Sequence, residues 1–216
     1  MDFIPPLHTM LAYSLASFLL FATPGPDMSL WLSRTVGHGR ASGLAAMVGT
    51  NVGCLVHTLL AAFGVSALIA TSPAAFTALK VVGALYLLWL AVDALRHGSS
   101  LNVKDKAHGS GSPTSTLKDF MLGVTVNLTN PKVVLFFITF LPQFVSAGDA
   151  HVSGKLLFLG LYFILFNLPL STAVILVAEK LVGWLKARPR VLRGIDFTFA
   201  GVFAFFAVKI ALTQGR

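Results

Sequence analysis

Charge is what this sequence has least of: charged side chains make up 11% of its 216 residues, against about a quarter in an ordinary soluble domain. That scarcity excludes a water-soluble globule, because the apolar runs are too long and too poor in charge to be one packed core. There is a single cysteine, Cys54, which excludes an internal disulfide and any cysteine-clustered metal site. No Gly-x-x-x-x-Gly-Lys-Ser/Thr loop is present, so ATP is not a direct energy source without a partner. Nor is there a His-Glu-x-x-His metal motif or a Gly-x-Ser-x-Gly elbow, and no catalytic constellation stands out. Nothing calls for a cofactor or a metal ion. No Lys or Arg precedes Arg34, so the basic start of a signal peptide is missing. Apolar sequence is abundant instead, at 56%, and an integral membrane protein accounts for it.

A spanning helix needs about 20 mostly apolar residues. Six such stretches lie near 9–32, 42–70, 74–95, 119–145, 155–178 and 195–213, which predicts an all-α, polytopic membrane protein. The basic residues divide unevenly between the connections. Arg34 and Arg40 fall in the first, and Arg96, Lys104, Lys106 and Lys118 in the third. Lys180, Lys186, Arg188, Arg190 and Arg193 fall in the fifth, making 11 of the 16 basic residues. Basic loops stay cytoplasmic. Connections 1–2, 3–4 and 5–6 are therefore expected inside, with both termini outward. The net charge of +8 then reflects topology, and nucleic acid is not an expected partner. The basic run Lys186–Arg193 is also of a kind that binds RNA or anionic lipid head groups.

Residues 97–116 (HGSSLNVKDKAHGSGSPTST) are polar, rich in Gly and Ser, and without periodicity. They read as a cytoplasmic linker between two groups of three spans, 1–96 and 117–216. Three is odd, so the second group must cross in the opposite sense to the first. That is the arithmetic of an inverted repeat.

The first span of each group is interrupted. Span 1 meets Thr23-Pro24-Gly25-Pro26-Asp27, and span 4 meets Thr129-Asn130-Pro131-Lys132. Proline has no amide N–H and clashes with the carbonyl four residues back, so the carbonyls of Leu20, Ala22 and Asn127 are expected to lose their helical partners. Irregular backbone at membrane depth survives only where protein or a watery cavity satisfies it. Paired interruptions in two halves point to a midplane substrate site. Each break also carries a charge, Asp27 in one and Lys132 in the other. An isolated charge near the bilayer centre costs on the order of 2.5–3.5 kcal/mol on insertion scales. One reading is a structural ion pair clamping the halves; the other is a bipolar site for a zwitterion. In the second, an ammonium meets Asp27 and the freed carbonyls, and a carboxylate meets Lys132 and the N–H groups opening a half-helix. Asn51, Asn127 and Asn167 complete the candidate site. An intramembrane enzyme, an exporter of another small solute such as a cation, and a non-transporting scaffold remain as alternatives.

The pair TPGPD (Thr23–Asp27) and TNPK (Thr129–Lys132) resembles the signature of the LysE/RhtB amino-acid exporters. So does the run GTNVGCLVHTLLAAFGVSAL (Gly49–Leu68), followed by LKVVGALYLLWLAVDALR (Leu79–Arg96). The resemblance covers nearly the whole chain, with motifs in order in both halves. It implies a bacterial inner-membrane exporter of amino acids or related metabolites, driven by the proton-motive force and dimeric. It also implies that Pro24, Gly25, Pro26, Asp27, Asn130, Pro131 and Lys132 occupy the family's core positions.

Other residues fit around this expectation. Thr50, Cys54, His57 and Thr58 share one face of span 2. His57 is the one histidine deep in a span and, with Asp27, is a candidate for proton coupling. A buried neutral histidine bonded to a neighbour is the plainer alternative. Ala45, Gly49 and Gly53 form a ridge of small residues suited to close helix approach. Asn167, Pro169, Ser171 and Thr172 either line the cavity opposite span 1 or cap a proline kink.

Overall fold

The computed structural model describes residues 4–97, 115–146, 149 and 151–213; the predicted linker, apart from its ends, lies outside them. The described chain is helical, with no strand among those residues. In order it forms α1 (Leu7–Ala22), α2 (Pro26–His38), α3 (Arg40–Leu60), α4 (Ser66–Thr71) and α5 (Pro73–His97). Then follow α6 (Thr116–Thr129), α7 (Pro131–Leu135), α8 (Val152–Leu176), α9 (Ala178–Lys186) and α10 (Pro189–Thr213). Two wide π turns, Ala61–Val65 and Phe136–Phe140, continue α3 and α7, and a 3₁₀ turn follows at Leu141–Phe144. Arg40–Leu68 and Val152–Leu176 are long and apolar enough to cross a membrane. The bent pairs α1 plus α2 and α6 plus α7 raise the number to four if each is one span.

The bends follow from proline chemistry. α1 and α2 meet at 50°, and α6 meets the segment Pro131–Phe144 at 55°. The residue before a proline is pushed toward extended backbone, which Thr23, Gly25 and Asn130 each adopt. Pro26 and Pro131 are then the first residues of new helices, where a missing N–H costs nothing. Asn130 caps the second restart by accepting a 3.1 Å bond from the Lys132 N–H. Pro169, by contrast, lies inside α8 without ending it. Ser171 and Thr172 there donate to carbonyls three and four residues back. Gly39 turns the chain between α2 and α3 at φ +91°, a region that favours glycine.

Small residues set the tightest crossing. α3 and α6 approach so closely that a Cβ on Gly49 would overlap the Phe120 carbonyl. A Cβ on Gly123 would come within 3.1 Å of the Gly49 Cα. The ridge of Gly49 and Gly53 thus brings helices together. Two apolar clusters flank this crossing. One gathers Tyr13, Phe136, Phe137, Phe140, Phe163 and Phe203 around the two π turns. The other packs Met28, Trp31, Leu32 and Met47 against Ile175 and Val182 of α8 and α9. Tyr13 is fully buried, and its hydroxyl donates to the Leu159 carbonyl at 3.0 Å. Arg34 of α2 pairs with the buried Asp119 of α6 at 3.3 Å.

A weaker tie opens α8. Lys155 Nζ lies 2.6 Å from Asp149 Oδ1, and the Ser146 N–H donates to Oδ2 at 2.8 Å. Partial burial alone would raise the Asp149 pKa, but these bonds outweigh it and hold the carboxyl below its usual value. A depressed carboxylate stabilises the fold above its unfolded pKa of about 4 and loses that contribution as pH falls through its native value. Lys155→Ala is therefore expected to cost at most about 1 kcal/mol near neutrality. Thermal unfolding of both proteins should converge as the pH drops below about 4.

Candidate functional site

The two breaks face each other across a cavity of about 70 Å³, several times the ~10–15 Å³ that one water requires. Its walls come from five helices and the chain between them. α1 and the first break give Leu20, Phe21, Thr23 and Gly25; α2 gives Asp27, Met28 and Trp31. α3 gives Thr50, Asn51 and Cys54; the second break and α7 give Asn130, Lys132 and Val133; α8 gives Phe163, Asn167 and Ser171.

Each charged side chain is held by the opposite half of the chain. Asp27 is the second residue of α2, where the N-terminal end of the helix dipole favours an anion. Its Oδ2 accepts from Asn127 Nδ2 at 2.6 Å, and its Oδ1 accepts from Asn130 Nδ2 at 2.9 Å. Lys132 reaches the other way, donating at 2.7 Å to both the Leu20 and the Thr23 carbonyls. Those carbonyls close the C-terminal end of α1, where the dipole favours a cation. The freed carbonyl of Leu20 is expected from sequence, and the Thr23 carbonyl joins it as the second acceptor. The Asn127 carbonyl accepts from the Asn130 N–H at 3.1 Å and from His57 Nε2 at 3.4 Å.

Of the residues singled out from sequence, Thr23, Gly25, Asp27, Asn51, Asn130, Lys132 and Asn167 line the cavity. Asn127 does not, yet it is fully buried and holds Asp27. Its side-chain oxygen sits against Gly53, at a spot a Cβ there would fill. Pro24 is buried, while Pro26 and Pro131 are exposed; all three shape the bends without lining the cavity. His57 is buried outside the lining, its ring stacked on Phe137 at 5.8 Å. Ser171 joins Asn167 on the wall that α8 presents.

Sequence reasoning passed over the apolar wall. Trp31 donates from Nε1 to Thr50 Oγ1 at 3.1 Å and stacks on Phe21 at 6.4 Å. A signal for it was present: Trp31 follows Asp27 by four residues, so it shares the helix face that carries the carboxylate. Among the described residues, no group of three or more His, Cys, Asp or Glu is placed to hold a metal ion.

The LysE type translocator model matches residues 18–214. A leucine efflux protein of Enterobacter sp. is 30% identical, over 92% of this chain and 93% of its own length. A homoserine/homoserine lactone efflux protein of Salmonella typhimurium is 28% identical, over 93% and 94%. A leucine efflux protein of Klebsiella pneumoniae is 28% identical, over 94% and 95%. No solved structure matches. The family match runs through both breaks and every wall of the cavity between them, and the chain therefore belongs to the LysE type translocators, a family of membrane transporters rather than enzymes.

Proposed function

We propose that this protein is a secondary transporter that exports amino acids or close amino-acid derivatives. The observation that carries the reading is a cavity, formed at two matching helix breaks, whose lining contains one acid and one base, Asp27 and Lys132. Leucine and homoserine, two of the compounds named for efflux in the relatives, differ in their side chains and share the α-amino-acid zwitterion; homoserine lactone, named with homoserine, keeps the ammonium and has no carboxylate. A site of balanced charge suits the two zwitterions, and the apolar wall of Phe21, Met28, Trp31 and Phe163 suits a variable side chain.

In this reading the chain has six spans in two inverted three-helix repeats, 1–96 and 117–216, joined by the cytoplasmic linker 97–116. α1 with α2, and α6 with the segment through Phe144, are the broken spans; α5 and α10, each 25 residues, complete the two repeats. The protein sits in the bacterial inner membrane as a homodimer with both termini outward. Alternating access around the cavity is driven by protons entering as cargo leaves, with Asp27 and His57 as the candidate carriers.

Purified protein in liposomes, challenged with labelled leucine and homoserine under an imposed pH gradient, tests the proposal. Uphill movement that stops when an ionophore collapses the gradient is the expected result. Movement indifferent to the ionophore removes proton antiport and keeps the exporter. Failure to move any member of a broad amino-acid panel, by protein that remains folded, overturns it.

A further inference from the structure

We infer that Lys132 is a tethered stand-in for the ammonium group of the cargo, and that cargo binds by displacing it. The inference rests on the exporter reading and specifies how its site recognises a ligand. Lys132 Nζ lies 2.7 Å from the carbonyls of Leu20 and Thr23. These two oxygens form a notch at the negative end of α1, and both residues line the cavity together with Lys132 itself. The notch therefore already holds a primary ammonium ion. The α-ammonium of an amino acid is the same chemical group, with the same number of N–H donors.

Lys132 also has room to turn. Its side chain runs past Gly25, where a Cβ would stand 3.7 Å from both Cδ and Nζ, an ordinary contact and not a barrier. Four rotatable bonds connect the ammonium to the backbone, and the cavity lies beside it. In the exchange, the cargo ammonium takes the Leu20 and Thr23 carbonyls, and Lys132 turns to face the cargo carboxylate. Asp27 keeps its bonds from Asn127 and Asn130. Every charge has a partner before and after, which a site at membrane depth requires.

Selectivity follows from the same accounting. A carboxylate without an ammonium leaves the notch empty once Lys132 moves to meet it. An amine without a carboxylate fills the notch and brings Lys132 no carboxylate in exchange. Only a zwitterion completes both exchanges. The two displaced bonds also join the second half of the chain to the first, so cargo binding removes the Lys132 tie between the halves and leaves the Asp27 tie in place.

Thermal stabilisation of the purified full-length protein by leucine, leucinamide (ammonium only) and 4-methylpentanoate (carboxylate only) tests this. Wild type should bind leucine at least tenfold more tightly than either fragment. In Lys132→Met the notch is vacant and no lysine is stranded, so the preference should invert toward leucinamide. If that variant does not fold, Lys132→Gln, which keeps an N–H donor without the charge, carries the same comparison. A folded variant that retains the preference for leucine, or that ignores leucinamide, overturns the exchange and leaves Lys132 a static tie. Wild-type protein indifferent to every amino acid, with leucinamide still bound by the variant, supports the notch and removes the cargo reading.

Discussion

Asp27→Asn should lower export by between ten- and a hundredfold while leaving a folded protein. The carboxylate accepts two amide N–H bonds, from Asn127 at 2.6 Å and Asn130 at 2.9 Å. Asparagine is nearly isosteric but offers only one acceptor oxygen, so one amide is left facing another N–H₂. A bond to a charged group contributes about 1.5–3 kcal/mol, and about 1.4 kcal/mol corresponds to a factor of ten. The substitution also leaves the first half with no negative charge at the cavity to balance Lys132. Shape is kept, so detergent-solubilised protein should still run as a single folded species. Initial rates of leucine or homoserine efflux from proteoliposomes measure the effect. Wild-type, proton-driven efflux from this variant would remove Asp27 as a proton carrier.

Gly49→Val is expected to have the largest effect on the fold itself. At this point α3 and α6 touch backbone to backbone, and even one added Cβ would overlap the Phe120 carbonyl. Nothing flexible lies there to move aside, so the helices must separate. Forcing extra atoms into a packed contact costs about 1–3 kcal/mol and sometimes more. For a chain of this size that is roughly 2–12 °C in Tm. Separation would also lift Gly53 from Asn127, the residue that holds Asp27, so activity should fall along with stability. Gly64→Val, at a position with nothing within 4 Å of an added Cβ, is the matched control and should change Tm little. Equal melting of both variants would mean that the crossing is looser than described.

The helix breaks were legible in the sequence because their cause is local. A proline lacks its N–H and biases the preceding residue wherever it sits, so Pro24, Pro26 and Pro131 point to the bends, although Pro169 sits within α8 without ending it. The ridge of Gly49 and Gly53 was legible for a similar reason, since missing side chains permit close approach whatever the partner. What each polar group meets was not. Asn127 and Asn130 lie about a hundred residues from Asp27, and no pattern within one helix says which amide will reach which carboxylate. The face bearing His57 could be read from helical periodicity, but its contact with the Asn127 carbonyl depends on how α3 and α6 pack. Trp31 was hidden differently: an aromatic in an apolar run looks like packing until the fold shows it beside a cavity. The π turn at Phe136–Phe140 lies in an apolar run with no proline or glycine to mark it.

The exchange of partners between halves has a consequence for how the chain is made. Ribosomes add about 5–20 residues per second, and the asparagines that hold Asp27 follow it by 100 and 103 positions. For roughly 5–20 s after its own synthesis, Asp27 must wait for them. During biogenesis its carboxylate therefore depends on transient company, from water or the insertion machinery, until the remainder of the polypeptide arrives.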